Sequence, residues 1–193
     1  MLLTQRFNLL PKWRQDDEKK RNTSFLGLVD LLKYVSEKLP KSDYKMIEIG
    51  SYMGESTMMF ASTGLFSTIY SIDPLEGDEE FNEIFGYDWD LVKSEYLNNL
   101  RMFDNIIHYE DYSYNVINKF DDNSIDFIYI DGNHSYDSVT KDLQLYLPKI
   151  KKGGFISGHD YCDFWASTKK AIDNEIGIPD QTFIDTSWIK KIK

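Results

Sequence analysis

Glu48-Ile49-Gly50-Ser51-Tyr52-Met53-Gly54 decides the reading of this chain. The stretch closes an apolar, strand-length run, Met46-Ile47-Glu48-Ile49, and turns at once into a helical pattern. Gly50 and Gly54 bracket the turn, and glycine tolerates positive φ and close approach of a ligand to the backbone. Ser56 and Thr57 fall at the start of the following helix, where unpaired N–H groups favour an anionic group such as a carboxylate. A dinucleotide fingerprint needs glycines at 50, 52 and 55; Tyr52 and Glu55 stand there instead. No Gly-Lys-Ser/Thr follows, so a P-loop is also excluded.

The pattern repeats outward from this turn. Thr68–Ile72 runs into Asp73, Asn105–Tyr109 into Glu110 and Asp111, Ile125–Ile130 into Asp131, and Gly154–Ser157 into Gly158-His159-Asp160. Each run is short and rich in β-branched or aromatic residues, as strands are. Helical stripes lie between them: Val92, Tyr96, Leu100 and Phe103; Val139, Leu143, Tyr146 and Leu147; Trp165, Thr168, Ile172 and Ile176. An earlier stripe, Phe25, Leu28, Val29, Leu32, Val35 and Leu39, is capped by Thr23 or Ser24 and stopped by Pro40. Alternating strands and helices predict an α/β domain with a doubly wound, mostly parallel sheet. Thr182-Phe183-Ile184 and Trp188-Ile189 add a C-terminal antiparallel strand pair across Asp185-Thr186-Ser187. Residues 1–22, ending in the charge run Asp16–Arg21, read as a solvated arm.

Composition bounds what such a domain does. With 193 residues, 41% of them hydrophobic, the chain builds one core. Its net charge of -10 repels phosphate backbones and argues against nucleic acid as a partner. Cys162 is alone, so no intrachain disulfide forms, which fits a reducing compartment. No signal-peptide core opens the chain and no run approaches a membrane span, so the expectation is a cytoplasmic protein without a membrane partner.

In open parallel sheets, ligands sit at the carboxyl ends of strands, near the reversal of strand order. The polar residues of this chain collect at those ends. Asp73, about twenty residues after the glycine turn, suits ribose hydroxyls; the competing reading is that Asp73-Pro74 only starts a loop. Asp131-Gly132-Asn133-His134 and Gly158-His159-Asp160-Tyr161 follow neighbouring strands about 4.8 Å apart, so their ends can meet at one ion. Two carboxylates suit Mg²⁺, and an imidazole moves the preference towards Mn²⁺. Two of the three histidines lie in these two loops, and histidine serves as a general base near neutral pH. Taken singly, each loop is equally well read as ordinary turn chemistry, and His134 as a residue that hydrogen-bonds a loop backbone.

Glu48-Ile49-Gly50-Ser51-Tyr52-Met53-Gly54-Glu55-Ser56 resembles motif I of class I S-adenosylmethionine-dependent methyltransferases. The variant with tyrosine in place of the middle glycine is similar to catechol-type O-methyltransferases. The resemblance extends from about Met46 to Asp160. It implies a Rossmann-like class I methyltransferase fold and a single domain over 1–193, with an N-terminal arm and helix over 1–40 and a cofactor-binding sheet over 46–193. It implies that Glu48, Gly50, Tyr52 and Ser56, with Ser51 and Gly54 of the same turn, line the methionine part of S-adenosylmethionine. Asp73 would bind the ribose, and Asp111 or Tyr112 would lie near the adenine. In catechol-type and macrolide-sugar O-methyltransferases a metal-binding Asp follows strand 4, which is Asp131 here, on the cofactor's side of the site. The base comes three positions later, at His134, and a ligand pair follows strand 5, at His159 and Asp160. His159 departs from the carboxylate those families carry. The implied reaction is cation-assisted O-methylation of a small hydroxylated acceptor such as a sugar.

Three other readings compete. One is the same chemistry without a metal, using His134 alone; another is a non-catalytic interaction domain on the same fold; the third, a nicotinamide oxidoreductase, fails on glycine spacing. Residues 74–90, acidic and aromatic, read as a lid or acceptor-binding loop. The small size leaves the rest of the pocket to residues 1–40, to 74–90, or to a second subunit of a homodimer. His108, inside a strand pattern, reads as structural.

Overall fold

The computed structural model describes residues 18–39, 43–76 and 88–193. The elements run α1 (Glu18–Lys38), β1 (Tyr44–Ile49), α2 (Glu55–Ser62), β2 (Phe66–Ile72), α3 (Trp89–Leu100), β3 (Ile106–Tyr109), α4 (Ser113–Val116), β4 (Ile125–Ile130), α5 (Tyr136–Tyr146), β5 (Ile150–Gly158), α6 (Ala166–Ile176), β6 (Gln181–Thr182) and β7 (Trp188–Lys191). One sheet joins the strands in the order β3-β2-β1-β4-β5-β7-β6. β1 to β5 pair in parallel, while β7 runs antiparallel to both β5 and β6. The expected doubly wound sheet and its C-terminal antiparallel addition are therefore present.

Strand order reverses between β1 and β4, and the register there positions the site. Ile49 lies opposite Ile72 on one side and Ile130 on the other; Ile72 pairs with Tyr109, and Ile130 with Gly158. All five parallel strands thus end in one row. The next residue of each, Gly50, Asp73, Glu110, Asp131 and His159, steps onto a common rim. Backbone hydrogen bonds carry the ladder one residue further, from Gly50 N to Ile72 O at 2.9 Å, Asp131 N to Ile49 O at 2.8 Å and His159 N to Ile130 O at 3.0 Å.

Alternation along the strands sorts the core into two faces. Ile47, Ile49, Ile128, Ile130 and Ile156 pack beneath α5 and α6, with Val139, Leu143, Tyr146 and Ile172. Met46, Phe127, Tyr129, Phe155 and Ile189 pack beneath α1 and α2, with Leu28, Leu31, Val35 and Phe60. β4 is buried throughout, as a central parallel strand covered on both faces must be.

Two expectations need correction. α1 begins at Glu18, so Thr23 and Ser24 lie inside the helix and do not cap it, and residues 18–22 of the expected arm are part of that helix. Glu18, Lys19, Lys20 and Arg21 are good helix formers, and the helix runs through them more than a turn ahead of Thr23. The loop expected over 74–90 falls largely at 77–87, outside the described residues, as do residues 1–17 of the expected arm and Pro40.

Candidate functional site

The glycine turn is built as its sequence demands. Gly50 takes φ 83°, Tyr52 φ 46° and Gly54 φ 77°, all left-handed. A Cβ on Gly50 would come within 2.2 Å of the Asp131 carbonyl, so the turn and the end of β4 are in backbone contact. Gly54 begins α2 with no side-chain cap. Ser56 and Thr57 sit in the first turn of that helix and donate their hydroxyls to the two oxygens of Glu48, Ser56 Oγ at 2.5 Å. Glu48 is 0% exposed. Burial lifts its carboxyl to about 8, although the two hydroxyls pull the other way. Ser51 Oγ, in the same turn, is buried with no hydrogen-bond partner. A helix N-terminus without a side-chain cap, a buried orphan hydroxyl and a backbone stripped of Cβ fit a polar, partly anionic ligand lying across the turn.

Asp73 does something the sequence did not announce. Its Oδ2 accepts from Ser51 N at 2.7 Å and Tyr52 N at 2.8 Å, and its Oδ1 accepts from Leu75 N at 2.7 Å. The carboxylate clamps the glycine turn, and a ribose hydroxyl would have to share Oδ1. Asp111 Oδ1 accepts from Tyr112 N and Asn115 Nδ2, which ties it to the start of α4. Tyr112 stands exposed beside it, donates its hydroxyl to Glu76 at 2.9 Å and stacks on Tyr114. His108 packs on Tyr96 with ring centroids 4.3 Å apart.

On the other half of the rim, Asp160 sits between both histidines. His134 Nε2 lies 2.7 Å from Asp160 Oδ2, and His159 Nδ1 lies 2.9 Å from Oδ1. His159 Nδ1 is 3.9 Å from Asp131 Oδ1. The two imidazoles hold Asp160 well below the usual carboxylate range despite its burial. Burial alone would lower both histidines, but neighbouring charges reverse it. For His159 the charge of Asp131 and the Asp160 contact raise the value to about 9. For His134 the hydrogen bond and charge of Asp160, with Asp131 behind, raise it above 6.5. Asp160 adopts φ 64°, an uncommon conformation for a residue with a Cβ, and its N–H reaches Thr186 Oγ1 at 3.2 Å.

The expected metal set was Asp131, His159 and Asp160, with His134 as the base. Among the described residues, the three side chains whose ligand atoms come within 4.8 Å of one another are Asp131, His134 and Asp160. Two carboxylates and an imidazole fit a divalent cation in kind. Both oxygens of Asp160 already meet imidazole nitrogens, however, so an ion there would compete with a proton.

His134 is fastened in three ways, two of them absent from the motif. Besides Asp160, its ring lies flat on Trp165, centroids 4.2 Å apart at 18°. Its carbonyl accepts from Ser167 Oγ and Thr168 Oγ1, both at 3.1 Å. Trp165 and Thr168 read in sequence as part of an apolar helical stripe. The available signal was the adjacent Phe164-Trp165 pair in the loop after β5, on the rim itself.

Residues 47–161, more than half of the chain, match a sequence family described as a methyltransferase domain. An uncharacterised protein of Acanthamoeba polyphaga mimivirus is 30% identical over 152 residues, which span 76% of this chain and 65% of that protein. The chain therefore spans just under two thirds of its curated relative. Among solved structures, the O-methyltransferase NovP superposes with a TM-score of 0.58 at 16% identity, covering 84% of this chain and 79% of that one. The TDP-rhamnose 3'-O-methyltransferase CalS11 of calicheamicin biosynthesis superposes with a TM-score of 0.57 at 12% identity, covering 86% and 79%. At these identities the two structures establish a common fold.

Proposed function

Because the chain belongs to a family described as a methyltransferase domain, we propose that it is a class I S-adenosylmethionine-dependent enzyme that methylates a hydroxyl oxygen of a small acceptor such as a sugar, with His134 as the base. The observation that carries this reading is the 2.7 Å contact between His134 Nε2 and Asp160 Oδ2, on the same rim as the glycine turn. The turn would hold S-adenosylmethionine through Glu48, Gly50, Tyr52 and Ser56. Bound there, the cofactor supplies an electrophilic sulfonium methyl. Asp160 fixes the tautomer of His134: with Nε2–H donated to the carboxylate, the basic lone pair is on Nδ1. His134 then takes the acceptor's hydroxyl proton as the oxygen attacks, and the imidazolium is stabilised by Asp160. Trp165 and the two hydroxyls on the His134 carbonyl keep the ring in place for that transfer. The O-methyltransferase names of NovP and CalS11, and the sugar in the latter's, support oxygen as the acceptor atom and a sugar as its carrier.

A divalent cation, Mg²⁺ or Mn²⁺, at Asp131, Asp160 and one histidine would lower the acceptor's pKa. A second reading dispenses with it. The occupation of both Asp160 oxygens by imidazoles favours a metal-free His–Asp pair. Methyl transfer that survives EDTA selects the second reading, and loss restored by Mn²⁺ selects the first. The reading as a whole is tested by calorimetric titration with S-adenosylmethionine, followed by labelled-methyl transfer to a panel of pyranosides and phenols. No cofactor binding, with or without cation, sinks it. A His134→Ala protein with undiminished turnover removes the residue as base.

A further inference from the structure

Beside His134 the loop after β5 carries two aromatic rings that the fold does not need. Phe164 is 84% exposed, more than any other large apolar side chain among the described residues. Its ring meets Trp165 edge-on, centroids 5.2 Å apart at 86°. Trp165 in turn lies flat on the His134 ring at 4.2 Å. The two aromatic planes therefore stand at right angles, with Trp165 against the group that would take the acceptor's proton. The corner is held, not loose. Trp165 starts α6, and the first turn of that helix is tied to the β4–α5 loop by the Ser167 and Thr168 hydroxyls on the His134 carbonyl. The charge within this stretch, Asp163, is paired with Lys169 at 2.6 Å, which leaves the corner itself apolar.

A singly exposed phenylalanine is ordinary on a protein surface, but aromatic side chains set beside convergent polar groups are what ligand sites are built from. His134, on which Trp165 lies, groups with Asp131 and Asp160, and all three can bind a hydroxyl. Resting on the O-methyl-transfer reading above, we infer that Phe164 and Trp165 form a ring-binding wall for the acceptor, whose reactive hydroxyl is carried on a six-membered ring with an apolar face. A flat aromatic ring or the C–H face of a pyranose stacks on Phe164 and directs its hydroxyl at His134; an open-chain polyol has no face to offer. The wall selects ring acceptors by position as well as by attraction, since rotation about the stack is limited by the perpendicular Trp165.

The test uses binding, so it does not depend on turnover. The intact protein, saturated with S-adenosylhomocysteine, is titrated with 4-nitrocatechol, methyl α-L-rhamnopyranoside and glycerol, followed by saturation-transfer NMR. At least one ring probe should bind and glycerol should not; which ring binds separates an aromatic from a sugar acceptor. Phe164→Ala should weaken that ring about five- to tenfold, and Phe164→Tyr should restore it. S-adenosylhomocysteine affinity should be unchanged in both. Ile178→Ala removes a comparably exposed apolar side chain beyond the other end of α6 and should change nothing. The proposal is overturned if neither ring binds, if glycerol binds as tightly as the rings, or if Phe164→Ala leaves ring affinity intact. Ring binding in a protein that shows no methyl transfer would sustain the wall and defeat the O-methyl reading.

Discussion

Replacing Glu48 by glutamine should make the unliganded protein more stable at alkaline pH and leave it nearly unchanged at acid pH. Glu48 is fully buried and its carboxyl is lifted from 4.5 to about 8, chiefly by loss of solvation. Below the lower value the side chain is neutral in both folded and unfolded chains, and it imposes no penalty. Between the two values the unfolded chain releases a proton that the folded one keeps. Stability therefore falls with rising pH by about 1.4 kcal/mol per pH unit. Above the folded value both forms are ionised and the loss is complete, at about 5 kcal/mol. Glutamine cannot ionise and so carries none of this slope. It fills the same volume, and the Ser56 and Thr57 hydroxyls can turn to accept from its amide, at a pH-independent cost of about 1 kcal/mol. Urea unfolding followed by circular dichroism at pH 5, 7 and 9 gives the difference between the two proteins at each pH. That difference should grow by about 4 kcal/mol from pH 5 to pH 9 in favour of Glu48→Gln. A difference independent of pH would refute the buried-carboxyl argument. The same proton should appear in calorimetry: binding the ammonium-bearing cofactor next to Glu48 at pH 7 should release close to one proton, read from the dependence of the heat on buffer ionisation.

Gly50→Ala should cost more than about 3 kcal/mol and abolish cofactor binding, because the new Cβ would sit 2.2 Å from the Asp131 carbonyl at a φ of 83°; thermal unfolding and calorimetry check both. Asp73→Ala orphans the N–H groups of Ser51, Tyr52 and Leu75 and should lower stability by about 2–4 kcal/mol, with cofactor affinity falling in parallel. An Asp73→Ala protein as stable as the parent would show that the clamp contributes nothing. The initial-rate profile of kcat/KM should rise with pH through a midpoint above 6.5, since His134 must lose a proton that Asp160 and Asp131 help it keep. In Asp160→Asn that midpoint should move down, and kcat should drop about tenfold or more.

The sheet was legible because its strands end on residues that contrast with them. Each apolar run from Met46 to Ser157 gives way to glycine, an acid or a histidine, and those break points became the rim. The antiparallel strand pair was legible from Asp185-Thr186-Ser187, but its first strand is Gln181–Thr182, so Phe183 and Ile184, expected in that strand, belong to the turn, which closes with Phe183 N bonded to Ser187 O at 2.8 Å. What stayed hidden has two causes. Backbone partners leave no trace in side-chain order, so Asp73 could be read as a ribose ligand but not as a clamp on N–H groups of the turn. Long-range side-chain partners leave none either. His134 and Trp165 are 31 positions apart and become neighbours only because β4 and β5 are adjacent and both turn out of the sheet at one level. The start of α1 was misplaced for a local reason: Thr23 and Ser24 are good caps, but a charged run of helix formers ahead of them propagates the helix past the signal.

Asp160 couples the loop after β4 to the loop after β5. Its backbone is left-handed with its N–H on Thr186 Oγ1, and its carboxylate faces His134 with one oxygen and His159 with the other. The uncommon conformation thus coincides with a specific chemical arrangement. The same arrangement makes cation and proton rivals for the same oxygens. A cation that binds must displace hydrogen bonds to Asp160, and its binding should weaken as pH falls and the imidazoles gain protons. In the absence of a cation, Asp131 and Asp160 raise His159 to about 9, and a protonated imidazole there balances one of their two charges. A histidine at position 159, where the resemblance implied a carboxylate, thus changes the charge balance of the site, not only its ligand list. EDTA sensitivity is therefore the measurement on which the choice between the two mechanisms turns.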